Sequence, residues 1–429
     1  MKKNLIIALT MGFLSLHASK EMQIDGVIEV YNIGTYKQSG DVNTLDADAL
    51  SFGGQLGVST ADLHGWYGAV DFMTANGLFI NSDPSRVDGS VLSNDVWKQS
   101  GNAADKANNI TIIGEAYVGF HDKTKDLKVG RQKYESPLAS TKEVRELPST
   151  FSGVAAAYKT EHLTLGLAVF DKFKQRTSDS FYNILEHALG VNTELYTGRK
   201  EGELLTSKLI YKSKRNTFSL HEYYMEDFMN SVYVGFETKI GQTKLELQGL
   251  HQRSVGHFST ALEQGLINSK NYDEGLFVSS VGAKVSFGSK TNTFILATTY
   301  TGSKENAYSD IVTAFDGTPL FTDSITGNNL FRSWYGNALS SDSGYTADTL
   351  SFKAAYKHKL TTKVNSMFAV ARFDKAPGGV AQTDINAVIS WKTHGWDFAA
   401  KAIYVFDDAQ VAGNKLQQFR LIATYKFHK

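Results

Sequence analysis

From residue 24 almost to the end of the chain, large apolar side chains return at every second position. Ile24, Gly26, Ile28 and Val30 alternate with Asp25, Val27 and Glu29. The same pattern recurs at Phe294, Leu296, Thr298 and Tyr300, at Leu350, Phe352, Ala354 and Tyr356, and at Trp396, Phe398, Ala400, Ala402, Tyr404 and Phe406. A period of two belongs to strands, whose successive side chains point to opposite faces. The second face is small, polar or charged, as in Ser351, Lys353, Ala355 and Lys357. In water an apolar sheet face needs another layer over it, and no amphipathic helical pattern supplies one. Lipid covers such a face if the sheet closes on itself and leaves no unpaired edge.

Composition agrees. Gly 37, Tyr 20 and Phe 26 against Pro 5 is rich in strand and turn formers. The prolines, Pro84, Pro137, Pro148, Pro319 and Pro377, all fall between alternating runs. Proline cannot donate to a ladder, so this placement suits strands paired on both sides. The chain opens MKKNLIIALTMGFLSLHA, with a basic start, an apolar run and small residues at Ala18 and Ser19. We read 1–18 as a secretory signal peptide and 19–429 as one barrel domain. Removing Lys2 and Lys3 from 44 basic residues leaves 42 against 44 acidic, a near-neutral chain that does not suit nucleic acid. There is no cysteine, so an exported chain of this size does not rely on disulfides. No later apolar run approaches the ~18 residues of a spanning helix.

The alternating runs number about eighteen. Short links near 60–62, 121–126, 160–162, 213–216, 241–242, 288–292, 359–362 and 392–395 alternate with long ones at 76–109, 133–150, 174–203, 254–274 and 301–349. Short turns at one end and long loops at the other describe a transmembrane, antiparallel, up-and-down β-barrel of the outer-membrane kind. The last strand, with Phe419, Leu421, Ala423, Tyr425 and Phe427 on one face, is similar to the terminal assembly signal of such barrels, although His428 and Lys429 displace the final aromatic.

The stretch 127–153 stands apart. It carries Pro137 and Pro148 and a mixture of charges, too charged for a core element and too long for a turn. Loops of that size in an ordered protein are usually functional or disordered. The residues Gly130-Arg131-Gln132, Ser136-Pro137-Leu138, Arg145, Pro148, Thr150-Phe151 and Gly153 resemble the OprD family of outer-membrane porins, especially the form found in Campylobacter-like bacteria. Glu143 and Val144 stand where the family has an acidic-apolar pair before the arginine. The resemblance implies a barrel of the outer membrane of a Gram-negative bacterium, with its third external loop folded into the lumen. It implies passive diffusion of small hydrophilic solutes, often carboxylates, amino acids or short peptides.

An eighteen-stranded barrel leaves an aqueous channel, and charge lining a narrow part of it selects among ions. We place the constriction on loop 133–150, with Lys142, Glu143, Arg145, Glu146 and Arg131. Arg131 has the outward parity of its strand, so a bulge must turn it inward or it lies at the strand's upper end. Arg145 offers a guanidinium able to hold a carboxylate through two bonds; pairing with Glu143 or Glu146 to pin the loop is the other reading. Inward parity gives a basic column of Lys208, Lys284, Lys353, Lys401 and Arg420, joined by Lys212, Lys244 and Lys357. It also gives an acidic wall of Asp25, Asp71 and Glu115, with Glu29 nearer a rim. The basic column is similar to the ladder of Arg and Lys that guides carboxylates in that family.

No metal site, cofactor or catalytic constellation is expected. The histidines are scattered without ligand spacing, the run Asp41, Asp46, Asp48 lacks an ordered calcium pattern, and no GxSxG elbow occurs. Expected partners are small polar solutes and outer-membrane lipid; homotrimer and monomer are both open. The rival reading is an adhesin or structural barrel whose contact loops are 76–109 and 301–349.

Overall fold

The computed structural model describes residues 22–79, 86–87, 92, 108–141, 145–190, 193–267, 270–317, 319–323, 325, 332–333, 348–374, 381–407 and 413–428. The expected signal peptide lies outside them, as do Lys142, Glu143 and most of 76–109. Among the described residues, eighteen long strands run in chain order: β1 (Gln23–Ser39), β2 (Val42–Ser59), β3 (Trp66–Phe79), β4 (Ile110–His121), β5 (Lys125–Gln132), β6 (Thr150–Lys159), β7 (Leu163–Lys174), β8 (Leu204–Lys212) and β9 (Asn216–Met225). They continue with β10 (Met229–Ile240), β11 (Thr243–Ser254), β12 (Phe277–Gly288), β13 (Asn292–Gly302), β14 (Thr349–Lys359), β15 (Val364–Phe373), β16 (Gln382–Thr393), β17 (Trp396–Phe406) and β18 (Asn414–His428). Each pairs antiparallel with the next, and β18 returns to β1 from Asp25↔His428 to Ser39↔Asn414. The sheet is closed, so no lateral edge is left to satisfy.

Side chains sort as the alternation requires. Phe52, Leu56, Leu167, Val281, Leu296, Phe352, Phe368, Phe419 and Leu421 are exposed on the outside. In water so many exposed apolar residues would be a liability, whereas facing hydrocarbon they are the covered surface. Aromatic pairs gather near the turn end of β13–β18: Phe294 against Tyr356 at 4.9 Å, Trp391 stacked on Phe398 at 5.0 Å, Trp396 against Tyr425 at 5.3 Å. They suit a girdle at the interface. Among the described residues no helix is long and apolar enough to cross a membrane.

Two details differ from the sequence expectation. β1 and β2 extend well past their alternating cores to a two-residue turn at Gly40 and Asp41, where Gly40 has φ 58°. At ~3.3 Å per residue these strands are roughly 55 Å long, so they project beyond a ~30 Å hydrocarbon layer. Their polar tips need no apolar face. The loop end is also not uniformly long: β9 and β10 are joined by Glu226, Asp227 and Phe228 alone.

Loops at that end fold inward. Three short helices, α1 (Ile184–Leu189), α2 (Thr193–Thr197) and α3 (His257–Glu263), sit there. Their apolar side chains join Phe151, Phe170, Phe173, Phe228 and Phe315 in one buried cluster. The rings of Phe151 and Phe170 lie 4.9 Å apart, those of Phe173 and Phe315 5.5 Å apart. Burying Phe315 alone is worth roughly 1.5–3 kcal/mol, so the loops have a reason to leave the water above the barrel.

Candidate constriction

The third loop of the long-loop end, L3 (133–149), turns inward at its first residue. The Lys133 amide donates to the Glu115 carboxylate at 3.0 Å, and its ammonium donates to Gln55 at 2.9 Å. Glu115 thus anchors the start of L3. The loop then folds as a hairpin. The Thr141 amide donates to the Tyr134 carbonyl at 2.9 Å, and Tyr134 reaches Thr206 of β8 with its hydroxyl at 2.6 Å. At the tip, the Leu138 amide donates to the Tyr223 hydroxyl of β9 at 3.1 Å. On the return, Leu147 packs with Met73, Ala75 and Ile110. The Arg145 guanidinium stands 6.0 Å from the Tyr31 ring centre, at the outer limit of a cation–π contact.

A second arm completes the ring. The loop after β13, L7 (303–348), is a contact loop only in the rival reading of the sequence, and its described residues lie against the barrel wall. Val312 exchanges two hydrogen bonds with the Gln252 amide of β11, both 2.8 Å. Thr322 meets Ser351 of β14 at 2.8 Å, the Lys353 ammonium donates to the Asp323 carbonyl, and the Ile325 amide donates to Asn386 of β16 at 3.3 Å. The physical reason is the run Ile311, Val312, Ala314, Phe315, which is fully buried or nearly so and would be exposed in an outward loop. L3 and L7 touch where the Ser140 amide donates to the Phe315 carbonyl at 2.9 Å. Beside that bond, a Cβ on Gly317 would lie 2.3 Å from the Leu138 Cα, so only glycine lets the arms approach this closely.

The residues of the expected basic column have different surroundings. Lys284 pairs with Glu246 at 3.0 Å and lies 4.4 Å from the Phe321 ring of L7. Lys244 pairs with Glu237 at 2.8 Å and with Glu246 at 3.1 Å. Lys353 is held by L7, and Lys208 lies 5.5 Å from the Tyr134 ring. The column is therefore interrupted by Glu237 and Glu246, two inward carboxylates that the sequence reading missed although their parity gives them. Arg420 is only 2 % exposed and donates to Gln418 at 2.7 Å. Lys401, opposite it in register, stands within electrostatic reach of Arg420, Arg145 and Glu29.

The acidic wall is similarly divided. Asp71 is inward and 8 % exposed. Asp25 is at the turn end, paired with His428 across the β1–β18 seam. The carboxylate that belongs to the ring is Glu29, which accepts from Thr424 at 2.8 Å. Beside it lies Glu146 of L3, 2 % exposed. Burial pushes the Glu146 carboxyl up to about 8; Glu29 adds to the rise and the Ser51 hydroxyl opposes it. Asp384, fully buried on β16, is a further inward acid absent from the sequence expectation.

Arg131 does not belong to the constriction. It lies abreast of Ala116 and Ser152, on the face of Val118, Val129 and Val154. No bulge interrupts either pairing, so alternation holds and the side chain points outward. It donates to the Ile113 carbonyl at 3.1 Å and stacks 4.5 Å from the Phe181 ring. At the upper end of its strand a charge on this face costs little.

Among the described residues, no group of three or more His, Asp or Glu is arranged to hold a metal ion.

One family profile, outer membrane porin, OprD family, matches residues 66–315. No curated protein matches the chain in sequence. Solved structures do match it in fold. Pseudomonas aeruginosa OpdK with vanillate aligns with a TM-score of 0.69 at 15% identity, over 95% of this chain and 99% of that one. Acinetobacter baumannii OccAB4 aligns at 0.70 and 16% identity, over 96% and 99%. Pseudomonas aeruginosa OccK9 aligns at 0.72 and 14%, over 95% and 99%.

Proposed function

Since the chain belongs to the OprD family of outer membrane porins, we propose that it is a passive channel for small hydrophilic solutes whose selecting element is the ring made by L3 and L7. The family is one of channels in the outer membrane of Gram-negative bacteria, and no reaction or cofactor is invoked. One observation carries the proposal: Lys401, opposite Arg420 in register, stands within electrostatic reach of both Arg145 of L3 and Glu29. A solute carboxylate gains from Arg145 and Lys401, while Glu29 disfavours a second negative charge. Solutes that combine a carboxylate with neutral or positive groups, such as amino acids or short peptides, suit this pairing. Lys142 and Glu143 of the same loop extend this reading as further charges of the ring. The vanillate bound to OpdK, one of the structural relatives, is itself a carboxylate.

Reversal potentials of single channels in a potassium chloride gradient, with potassium gluconate for comparison, test the proposal. It expects anion preference or weak selectivity, with partial block by gluconate. A strongly cation-selective pore would contradict it. The rival reading of 301–349 as a contact loop loses support from the inward course of 311–325.

A further inference from the structure

We propose that Arg176, buried where three loops meet, is a positioning residue: its pair with Asp316 clamps L3 and L7 together and so fixes the shape and charge of the constriction. This rests on the channel reading above and goes beyond it, because the residue touches no solute.

The junction is built from three loops. Arg176 belongs to the loop after β7 (175–203), Asp316 to L7, Ser149 to the end of L3. The Arg176 side chain is 6 % exposed and that of Asp316 is 3 %. The guanidinium donates to one carboxylate oxygen of Asp316, and the Ser149 hydroxyl donates to the other. The Arg176 amide donates back to the Ser149 hydroxyl at 2.8 Å. One carboxylate is therefore read by a side chain from each of the other two loops. Directly beneath, the fully buried Lys174 donates to the Pro148 carbonyl of L3 at 3.1 Å.

Surroundings make the clamp stiff. His187 of α1, 1 % exposed, donates through Nε2 to the Ala314 carbonyl at 3.0 Å. Its imidazole is held neutral, since burial pushes it down to about 4. The Phe173 and Phe315 rings close the site. Losing one partner of a pair buried this deeply leaves the other charge uncompensated, which is strongly destabilising. A junction of this kind has two states, assembled or broken, rather than a continuum. When it breaks, Asp316 and its neighbours Phe315 and Gly317 lose their fixed place against L3. The Arg145 end of L3 follows only four residues before Ser149, so the ring charges shift with it.

Single-channel recording in planar bilayers is the test, with the heat-modifiable gel mobility of the folded barrel as control. Asp316→Asn is the primary variant, because Lys174 is near enough to compensate partly for a lost Arg176. The expected result is a folded barrel that loses its single steady open level, switches among substates and shows a reversal potential shifted toward zero. Arg176→Met should do the same to a smaller extent, and Arg176→Lys, which keeps the charge but not the guanidinium, should restore part of the steadiness. Currents as steady as wild type, with an unchanged reversal potential in folded Asp316→Asn, would overturn the proposal. Should either variant fail to fold, Ser149→Cys with Asp316→Cys takes its place, since the chain has no other cysteine. Its reduced form should be unsteady and its oxidised form quiet; a reduced form as quiet as wild type overturns the clamp. A folded wild-type barrel that carries no current would instead defeat the channel reading, and the clamp with it.

Discussion

L3 and L7 both enter the barrel, yet they are held there differently. L3 is tied by charge and by its own hairpin: Glu115 fixes its first amide, Tyr134 and Thr141 close it, and its return carries Arg145 and Glu146 to the β1–β2 wall. L7 is laid along the opposite wall largely through neutral groups, with Gln252, Ser351 and Asn386 reading its backbone and hydroxyl, and charge enters at Lys353 and at the Arg176–Asp316 pair. L3 brings ionisable groups to the opening; L7 brings bulk and covers Lys284 and Lys353. One arm sets the charge of the ring and the other sets its width. Selectivity and conductance should accordingly respond to different substitutions.

The strongest way to break that division is to remove the bulk. Replacing 314–323 by a short Gly-Ser linker should raise single-channel conductance about twofold or more, because conductance follows the open cross-section. The sign of the ion preference should persist, since Arg145 and Lys401 remain, but its size should fall because Asp316 is lost with the segment. An unchanged conductance would mean that L7 does not narrow the pore. Arg145→Ala should act the other way round. A unit charge about 4 Å from a passing ion in water is worth about 1 kcal/mol, roughly fivefold in relative permeability. The anion-to-cation permeability ratio should therefore fall by about that factor, with little change in conductance. Reversal potentials in a salt gradient measure it, and a conductance loss without a selectivity change would reassign Arg145 to pinning the loop.

The two arms also differ in how far the sequence revealed them. All eighteen strands were legible, because lipid on one side and water on the other enforce alternation over the whole span. The upper halves of β1 and β2 were not, since Lys37, Gln38 and Asp41 stand above the hydrocarbon and have no face to declare. L3 announced itself by its charges and prolines and by its family motif. L7 carried a signal that went unused: Ile311, Val312, Ala314 and Phe315 form an apolar run inside a loop, and such a run needs cover. Parity assigns Lys208, Lys284, Lys353, Lys401 and Arg420 to the inward face and Arg131 to the outward one; counting Arg131 in the constriction set that parity aside. What alternation alone could not give was which side chains pair: Lys284 with Glu246 on the neighbouring strand, or Arg176 with Asp316 between two loops, join residues 38 and 140 positions apart.

A smaller effect sharpens the comparison, because L3 carries a buried carboxyl, Glu146, with a raised pKa. Glu146 has its folded value raised from 4.5 to about 8, chiefly by burial and further by Glu29. The docked loop thus binds a proton that a solvated loop releases between those values. A group that holds its proton more tightly when docked favours docking at low pH, and this contribution declines as pH rises from 4.5 through 8. Above 8, an ionised Glu146 faces Glu29 in a buried place, and L3 is released more often. Brief closures or substates should become more frequent between pH 7 and 9 in wild type. Glu146→Gln keeps the shape without the ionisation, so its current record should be flat over that range. A variant with the same pH dependence as wild type would assign the titration elsewhere and leave L3 no more pH-sensitive than L7.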